Sequence, residues 1–279
     1  MKKLLVVDGS NLLCQMFFGI SSSIIDKNGK AIHGTFGFVS ALIRIIKLTK
    51  PTHVIVIFDG GHKNSRVNLA HDYKTNRGGY ANAFDDKSPF SQLNDIYAAL
   101  DFMKIRHYEA DVLEADDDVA GYAFTYGKDM KVVISSLDSD FFQLINGNVS
   151  VLRYRGNKSV ICDAEYIKNK FGILPEQYAD FKSLTGDGSD NIKGAKKIGI
   201  KTAAALIKQF GSLRNLIKNA DQISTPHIRE SIIQSAERLQ INYKLIKLYN
   251  SAVKFDIDDC MVSDNSLGTN EVLNGIGLL

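Results

Sequence analysis

Short apolar runs alternate along this chain with longer stretches in which apolar residues recur every three or four positions. The runs at 3–7 (KLLVV), 53–58 (HVIVIF) and 131–135 (KVVIS) are rich in Val and Ile and bounded by polar residues, which predicts buried strands. Between the first two, Phe36, Val39, Ile43 and Ile46 share one helical face, with Leu42 and Ile45 beside it and Pro51 just beyond. That spacing predicts a first helix over about 34–50, apolar on two sides and largely buried. Strands apolar on both faces and separated by helices indicate an α/β fold with a mainly parallel central sheet flanked by helices.

Acid follows each strand: Asp8, then Asp59, then Asp138 with Asp140. Parallel strands present their C-terminal ends at one edge of the sheet, so these carboxylates are expected to converge. Glu114, Asp116, Asp117 and Asp118 open a further helix that continues as VAGYAF. One or two acids there would complement the helix dipole; four within five residues exceed that need. With Asp187 and Asp190 of TGDGSDN, and Asp118 set aside, nine carboxylates are candidates for one site. Two like charges ~5 Å apart repel by roughly 3 kcal/mol at an effective dielectric of ~20, so counter-charge is required. Oxygen donors with no nearby His or Cys cluster select Mg²⁺ or Mn²⁺ over Zn²⁺. Two such ions ~3.5–4 Å apart are the usual apparatus of in-line phosphoryl displacement, which makes nucleic-acid hydrolysis the implied reaction class.

Basic segments point the same way. The stretch 60–88 has no good strand and exceeds the ~12–15 residues of an ordinary loop. If 63–77 is helical, Lys63, Arg66, Ala70, Tyr73, Lys74 and Arg77 fall in one stripe, suited to phosphate contact with base stacking. Taken alone, that stripe reads more simply as a solvated charged helix. A second piece begins near 175, where a glycine-rich hairpin precedes a helix at about 202–210. Lys193, Lys196, Lys197, Lys201 and Lys208 lie there with no acid among them, and Gly194 and Gly199 allow close backbone approach. Such hairpins recur in proteins that hold DNA backbone without reading sequence. Residues 212–250 read as helical, and 256–279 as an acidic tail that carries no functional signal.

Composition narrows the remaining classes. The 279 residues suffice for one large core or two modest domains, and 44% hydrophobic with 23% charged residues excludes disordered and fibrous proteins. The net charge of +3, from 34 basic and 31 acidic residues, is too small to imply DNA binding without local segregation. Cys14, Cys162 and Cys260 are an odd set without CxxC spacing, which suggests neither a disulfide framework nor a zinc site. Asp8 interrupts the first apolar run well short of a ~7–15-residue signal core, and no run reaches the ~18 residues of a membrane span. A soluble cytoplasmic protein with no membrane partner is expected.

Read together, the motifs VVDGSN at Asp8, VIFDG at Asp59, YKTNR at Tyr73, LEADDDVA at Glu114, SSLDSD at Asp138 and GDGSDNIKG at Asp187 cover roughly 4–250 in this order. The chain thereby resembles the 5′-nuclease, or flap endonuclease, superfamily, and within it the 5′ to 3′ exonuclease domain of bacterial DNA polymerase I as a stand-alone protein. The resemblance implies a PIN-like nuclease core over 1–174 with a helical arch at about 62–88. It implies a helical DNA-binding region over 175–279, with a helix-three-turn-helix at about 180–211. The implied activity is structure-selective 5′ to 3′ exonuclease and flap endonuclease action by a monomer on DNA with a 5′ flap, 5′ overhang or nick. Primer removal or repair would follow, with the nick handed to another enzyme, since no polymerase domain fits the remaining length.

By the same resemblance, Asp8, Asp59, Glu114 and Asp116 build a first metal site, Asp138, Asp140, Asp187 and Asp190 a second, and Asp117 lies between them. Lys74 and Arg77 face the scissile phosphate, Lys74 being the stronger catalytic candidate, and Tyr73 stacks on a frayed base. Lys63, Arg66, Lys193, Lys196, Lys197 and Lys201 are expected to contact DNA, and main-chain carbonyls within 187–210 to hold K⁺. Two departures stand out: a GVPGIG-like hairpin reads GAKKIG here, and Asp118 replaces an apolar residue and is expected to cap the helix. A catalytically silent binder of branched DNA is the alternative that metal-dependent turnover would separate. A PIN-type RNA nuclease, a class that usually lacks the glycine and lysine hairpin, would be separated by comparing RNA with DNA flaps.

Overall fold

The computed structural model describes residues 2–21, 24–60, 66, 69–70, 73–75, 87–111, 114–262 and 267–279. Strand β1 (Lys3–Asp8) is central and pairs in parallel with β2 (His53–Phe58) on one side and β4 (Lys131–Ser135) on the other. Outside them lie β3 (Arg106–Glu109) and β5 (Val149–Arg153), both parallel, and β6 (Val160–Cys162) closes one edge antiparallel. The order is β3-β2-β1-β4-β5-β6. Chain direction across the sheet therefore reverses between β1 and β4, the kind of switch point at which α/β proteins leave a crevice beyond the strand ends.

Alternate strand residues face opposite sides, and each side has its own core. Leu5, Val7, Val54, Val56 and Phe58 pack with Leu13, Phe38, Leu42, Ile96 and Val272 from helices α1 (Gly9–Gly19), α2 (His33–Thr49), α3 (Leu93–Phe102) and α10 (Thr269–Gly275). Leu4, Val6, Ile55, Ile57, Val132 and Ile134 pack instead under α4 (Ala115–Tyr126). That second core continues into α5 (Ala164–Phe171), α6 (Tyr178–Thr185), α7 (Ile200–Phe210), α8 (Leu213–Lys218) and α9 (Pro226–Ile246). A small antiparallel hairpin, β7 (Gly186–Asp187) with β8 (Ile192–Lys193), follows α6.

The three predicted strands are present, and the helix expected at 34–50 is α2, which ends on Lys50 in a left-handed conformation at φ 47°. It is the second helix, however. The turn-like GSN after β1 starts α1 because Asp8 caps it, accepting from the Asn11 N–H at 3.0 Å. The tail is also structured: Met261 bridges His53, the Val262 N–H donates to the Thr52 carbonyl at 3.1 Å, and α10 buries Val272 and Leu273. A seven-residue helix has too few periodic positions to be seen in the sequence. Among the described residues no helix is long and apolar enough to cross a membrane.

Gly121 lies inside α4, where alanine normally stabilises by up to about 1 kcal/mol relative to glycine. Here a Cβ would meet the Ser251 carbonyl oxygen at 2.5 Å and its Oγ at 2.7 Å. Gly121→Ala is therefore expected to lower stability in a urea titration, by about 1 kcal/mol or more. An unchanged or raised midpoint would contradict this packing of the 251 segment on α4.

Candidate active site

The strand ends aim the first acids. Asp8 closes β1 and accepts from the Asn11 N–H at 3.0 Å and from the Ser136 hydroxyl at 2.8 Å. Ser136 Oγ in turn accepts from the Asp138 N–H at 3.0 Å, and Asp138 Oδ1 accepts from the Asp140 N–H at 2.8 Å. Across the switch point, Asn11 Oδ1 accepts from the Leu137 N–H at 3.0 Å, while Ser10 Oγ accepts from the Asp59 N–H at 2.8 Å. Ser10, Asn11 and Ser136 thus tie the ends of β1, β2 and β4 together. They escaped the motif reading because a small polar residue beside an Asp carries no signal of its own.

The acids at the start of α4 diverge, since successive helical positions are rotated by about 100°. Asp116 faces the strand ends, where Asp138, Asp8 and Asp59 all act on it. Asp117 points elsewhere: it is buried, pairs with Arg66 Nη2 at 2.8 Å and accepts from the Tyr249 N–H at 2.9 Å. It is turned away from the gap between the acids at the strand ends and Asp140, a gap that Asp138 spans, acting on Asp8 and Asp116 on one side and on Asp140 on the other. Asp118 accepts from the Ser251 hydroxyl at 3.0 Å and fastens the 251 segment, so it is not a cap.

Oxygens of Asp140, Asp187 and Asp190 lie within 4.8 Å of one another, a second gathering reached from the β4 end and the β7-β8 hairpin. Lys182, on α6 and buried, reaches into it: Nζ pairs with Asp140 and, at 2.5 Å, with Asp187. Motif reading missed Lys182; its only signal is a lysine one turn before TGD.

The basic residues divide into groups. Lys193, Lys196, Lys197 and Lys201 are exposed along the hairpin and the start of α7. Lys197 holds φ 63°, the left-handed conformation that the glycine of a GVPGIG-like hairpin would adopt without strain. Helix α9 supports this loop from behind, with Asn242 Nδ2 donating to the Lys193 carbonyl at 3.0 Å, Arg238 Nη2 to Gly194 at 3.0 Å and Ser231 Oγ to Lys196 at 2.6 Å. Lys74, also left-handed at φ 57°, donates its N–H to the Asp190 carbonyl at 3.1 Å and its Nζ to Glu114 at 2.5 Å. Arg66 is not on an exposed stripe: it is 4% exposed and bridges Glu114 and Asp117. Tyr73 is buried beside Ala179, Ile192 and Leu245 with its hydroxyl 3.4 Å from Glu114, so it offers no face for base stacking. Lys63, Arg77 and most of the expected arch lie outside the described residues.

Crowding raises proton affinity. Burial first, then Asp59, pushes the Asp8 carboxyl up to about 7 despite its two hydrogen bonds, and burial with Asp138 raises Asp116 well above the carboxylate range. Burial, Asp138 and Asp187 push Asp140 up to about 7 against the pull of Lys182. Asp187 is held below its ordinary value because Lys182 and Ser189 outweigh its burial. An oxygen-only donor set that holds protons this tightly fits hard divalent cations, which replace protons where water cannot.

A carboxyl raised from 3.8 to about 7 stabilises the fold only while protonated, so that contribution falls as pH climbs through this interval. Metal-free protein is therefore expected to lose thermal stability between about pH 5 and pH 8, and added Mg²⁺ to restore more of it at the higher pH. Differential scanning calorimetry at both pH values checks this; an equal Mg²⁺ effect at each would contradict it.

Comparison with known proteins accords with this geometry. Residues 3–172 match the family model of the 5′-3′ exonuclease N-terminal resolvase-like domain, and residues 173–267 that of the 5′-3′ exonuclease C-terminal SAM fold. DNA polymerase I of Lactococcus lactis subsp. lactis is 31% identical over an alignment of 273 residues that covers 93% of this chain; the chain spans only 30% of that polymerase. A 5′-3′ exonuclease of Aquifex aeolicus is 31% identical over 250 residues, 89% of this chain and 82% of its own length. Among solved structures, a bacteriophage T5 flap endonuclease complexed with DNA and metal ions superposes with a TM-score of 0.71 at 24% identity, over 88% of this chain and 89% of its own. With both family models matched end to end along one acidic sheet edge, the chain belongs to the 5′-3′ exonuclease family.

Proposed function

We propose that this protein hydrolyses DNA phosphodiesters at 5′ ends, nicks and 5′-flap junctions, with two Mg²⁺ or Mn²⁺ ions held by its acidic sheet edge. The observation that carries this reading is the convergence of Asp8, Asp59, Asp116 and Asp138 beside the gathering of Asp140, Asp187 and Asp190. Glu114 adjoins the first group through Lys74. Such ions, when bound, supply activated water and neutralise the leaving oxygen.

The chain's own residues do the rest. Ser136 and Asn11 hold Asp8 in place, and Ser136 orients Asp138, so the donor oxygens are organised before an ion arrives. Exposed Lys193, Lys196, Lys197 and Lys201 offer a sequence-independent grip on duplex backbone, and α9 keeps their loop shaped by occupying its carbonyls. Lys74, fixed by its backbone to the hairpin and by its ammonium to Glu114, stands between grip and acids and is the residue we assign to the scissile phosphate. Arg77 shares that role in our reading, and Lys63 serves as a further DNA contact.

The K⁺ implied by resemblance would share some of the carbonyls of 187–210 with other donors. The carbonyls of Lys193, Gly194 and Lys196 accept from α9 side chains, and Arg238, one of the donors, already brings a positive charge. We place the protein in the cytoplasm as a monomer acting in primer removal or repair; three free thiols suit a reducing compartment.

A labelled 5′-flap duplex with Mg²⁺ tests the reaction. Short 5′ products released near the junction are expected, with none in EDTA, and with cleavage lowered by about 10³-fold or more in Asp138→Asn with Asp140→Asn while DNA binding persists. Undiminished cleavage by that variant would refute the assignment. Lys197→Gly separates grip from chemistry: removal of one phosphate contact should flatten the salt dependence of DNA binding by about 0.9 in log-log slope. Because glycine relieves a left-handed residue, its thermal stability should hold or rise. An unchanged slope would remove Lys197 from the interface.

A further inference from the structure

Lys182 occupies the place where the second group of acids would hold an ion. Its side chain is 7% exposed, and its ammonium pairs with Asp140 and, at 2.5 Å, with Asp187, while Ser139 Oγ lies 3.4 Å away. Those two carboxylates, with Asp190, are the ones whose oxygens fall within 4.8 Å of one another. An ammonium and a divalent ion meet the same electrostatic demand, but at different distances. Nitrogen sits ~2.8 Å from a carboxylate oxygen and Mg²⁺ ~2.1 Å, so an ion that draws these oxygens inward competes with the ammonium for them.

We propose that Lys182 is a built-in counter-cation of the second acidic group, which a divalent ion displaces as it binds. The proposal rests on the two-ion reading of the preceding subsection and adds a competition to it. Without metal, Lys182 holds Asp140 and Asp187 together. When an ion takes these carboxylates, the ammonium loses both partners and needs another anion within reach of a buried stem.

The cleft provides the room. Lys182 opens onto a cavity of about 530 Å³ that Asn11, Asp138, Arg153, Asp187 and Ser189 also line. A backbone phosphate entering it would meet the freed ammonium and the Arg153 guanidinium. Ion and DNA should therefore strengthen each other's binding: the phosphate stabilises the displaced lysine, and the displaced lysine attracts the phosphate. Linkage makes this effect reciprocal. The second ion would then bind poorly to free enzyme and well to enzyme with DNA in place.

The test is Mn²⁺ binding to the whole chain, followed by the electron paramagnetic resonance of free Mn²⁺, for wild type and Lys182→Met, with and without a nicked product duplex. Methionine keeps the stem's apolar bulk and removes the charge. In the absence of DNA, the weaker Mn²⁺ site of Lys182→Met is expected to bind about 10-fold tighter than that of wild type. The duplex should tighten this site in wild type and tighten it much less in the variant. Equal or weaker Mn²⁺ binding by folded Lys182→Met overturns the proposal, because a lysine that only supports structure would not suppress metal affinity.

Should the variant fail to fold without metal, wild type labelled with ¹³C at the lysine ε position answers the same question, with Lys182→Arg used to assign the signal. Addition of Mg²⁺ is expected to shift the Lys182 resonance toward those of exposed lysines. A resonance that stays put while Mg²⁺ binds overturns the proposal. No Mn²⁺ binding by wild type at all would instead overturn the two-ion reading, and this inference with it.

Discussion

Mutual repulsion among carboxylates gathered at one sheet edge is the constraint on which the rest of this structure depends. The fold creates it: parallel β1, β2 and β4 run their C-terminal ends to the same crevice, and each is followed by aspartate. Burial sharpens it, since Asp8 and Asp140 are held near neutral pKa values first by loss of water and then by neighbouring carboxylates, Asp59 for one and Asp138 for both. A fold with no functional use for such a cluster would be more stable without it, as stability is commonly exchanged for activity at functional sites.

The polypeptide answers with its own cations. Arg66 bridges Glu114 and Asp117, Lys74 reaches Glu114, and Lys182 sits between Asp140 and Asp187. These contacts also join parts of the chain distant in sequence. Residues 66 and 73–75 are drawn onto α4, Lys74 is bonded by its backbone to the hairpin, and α6 is pinned to the end of β4. Charge balance at the site and attachment of the lysine-bearing hairpin are therefore closely joined. A change to one acid should be felt at the hairpin as well as at the sheet.

Much of this was legible beforehand, because strands and acids leave strong marks. A run such as HVIVIF can only be a buried strand in this context, and an aspartate directly after it has one place to go. The hairpin's glycines and lysines were equally plain. What escaped depends on direction. The sequence places Asp116, Asp117 and Asp118 side by side, but a helix turns them toward the strand ends, toward Arg66 and toward Ser251 respectively. Arg66 and Tyr73 fall on one stripe by spacing, yet both side chains are buried and reach Glu114. Lys182 belongs to no motif, and only tertiary structure reveals that it faces acids. Helices α1 and α10 were lost for a simpler reason: one begins with turn-like residues and the other is too short for a period to emerge.

The claim that two acidic groups share one crevice and together accept two ions is open to direct observation. Crystals soaked in Mn²⁺ and measured at the manganese absorption edge would locate each bound ion independently of any assay. Two anomalous peaks are expected, one among Asp8, Asp59 and Asp116 and the other among Asp140, Asp187 and Asp190, with Asp138 between them. A single peak, or peaks away from these carboxylates, would contradict the account.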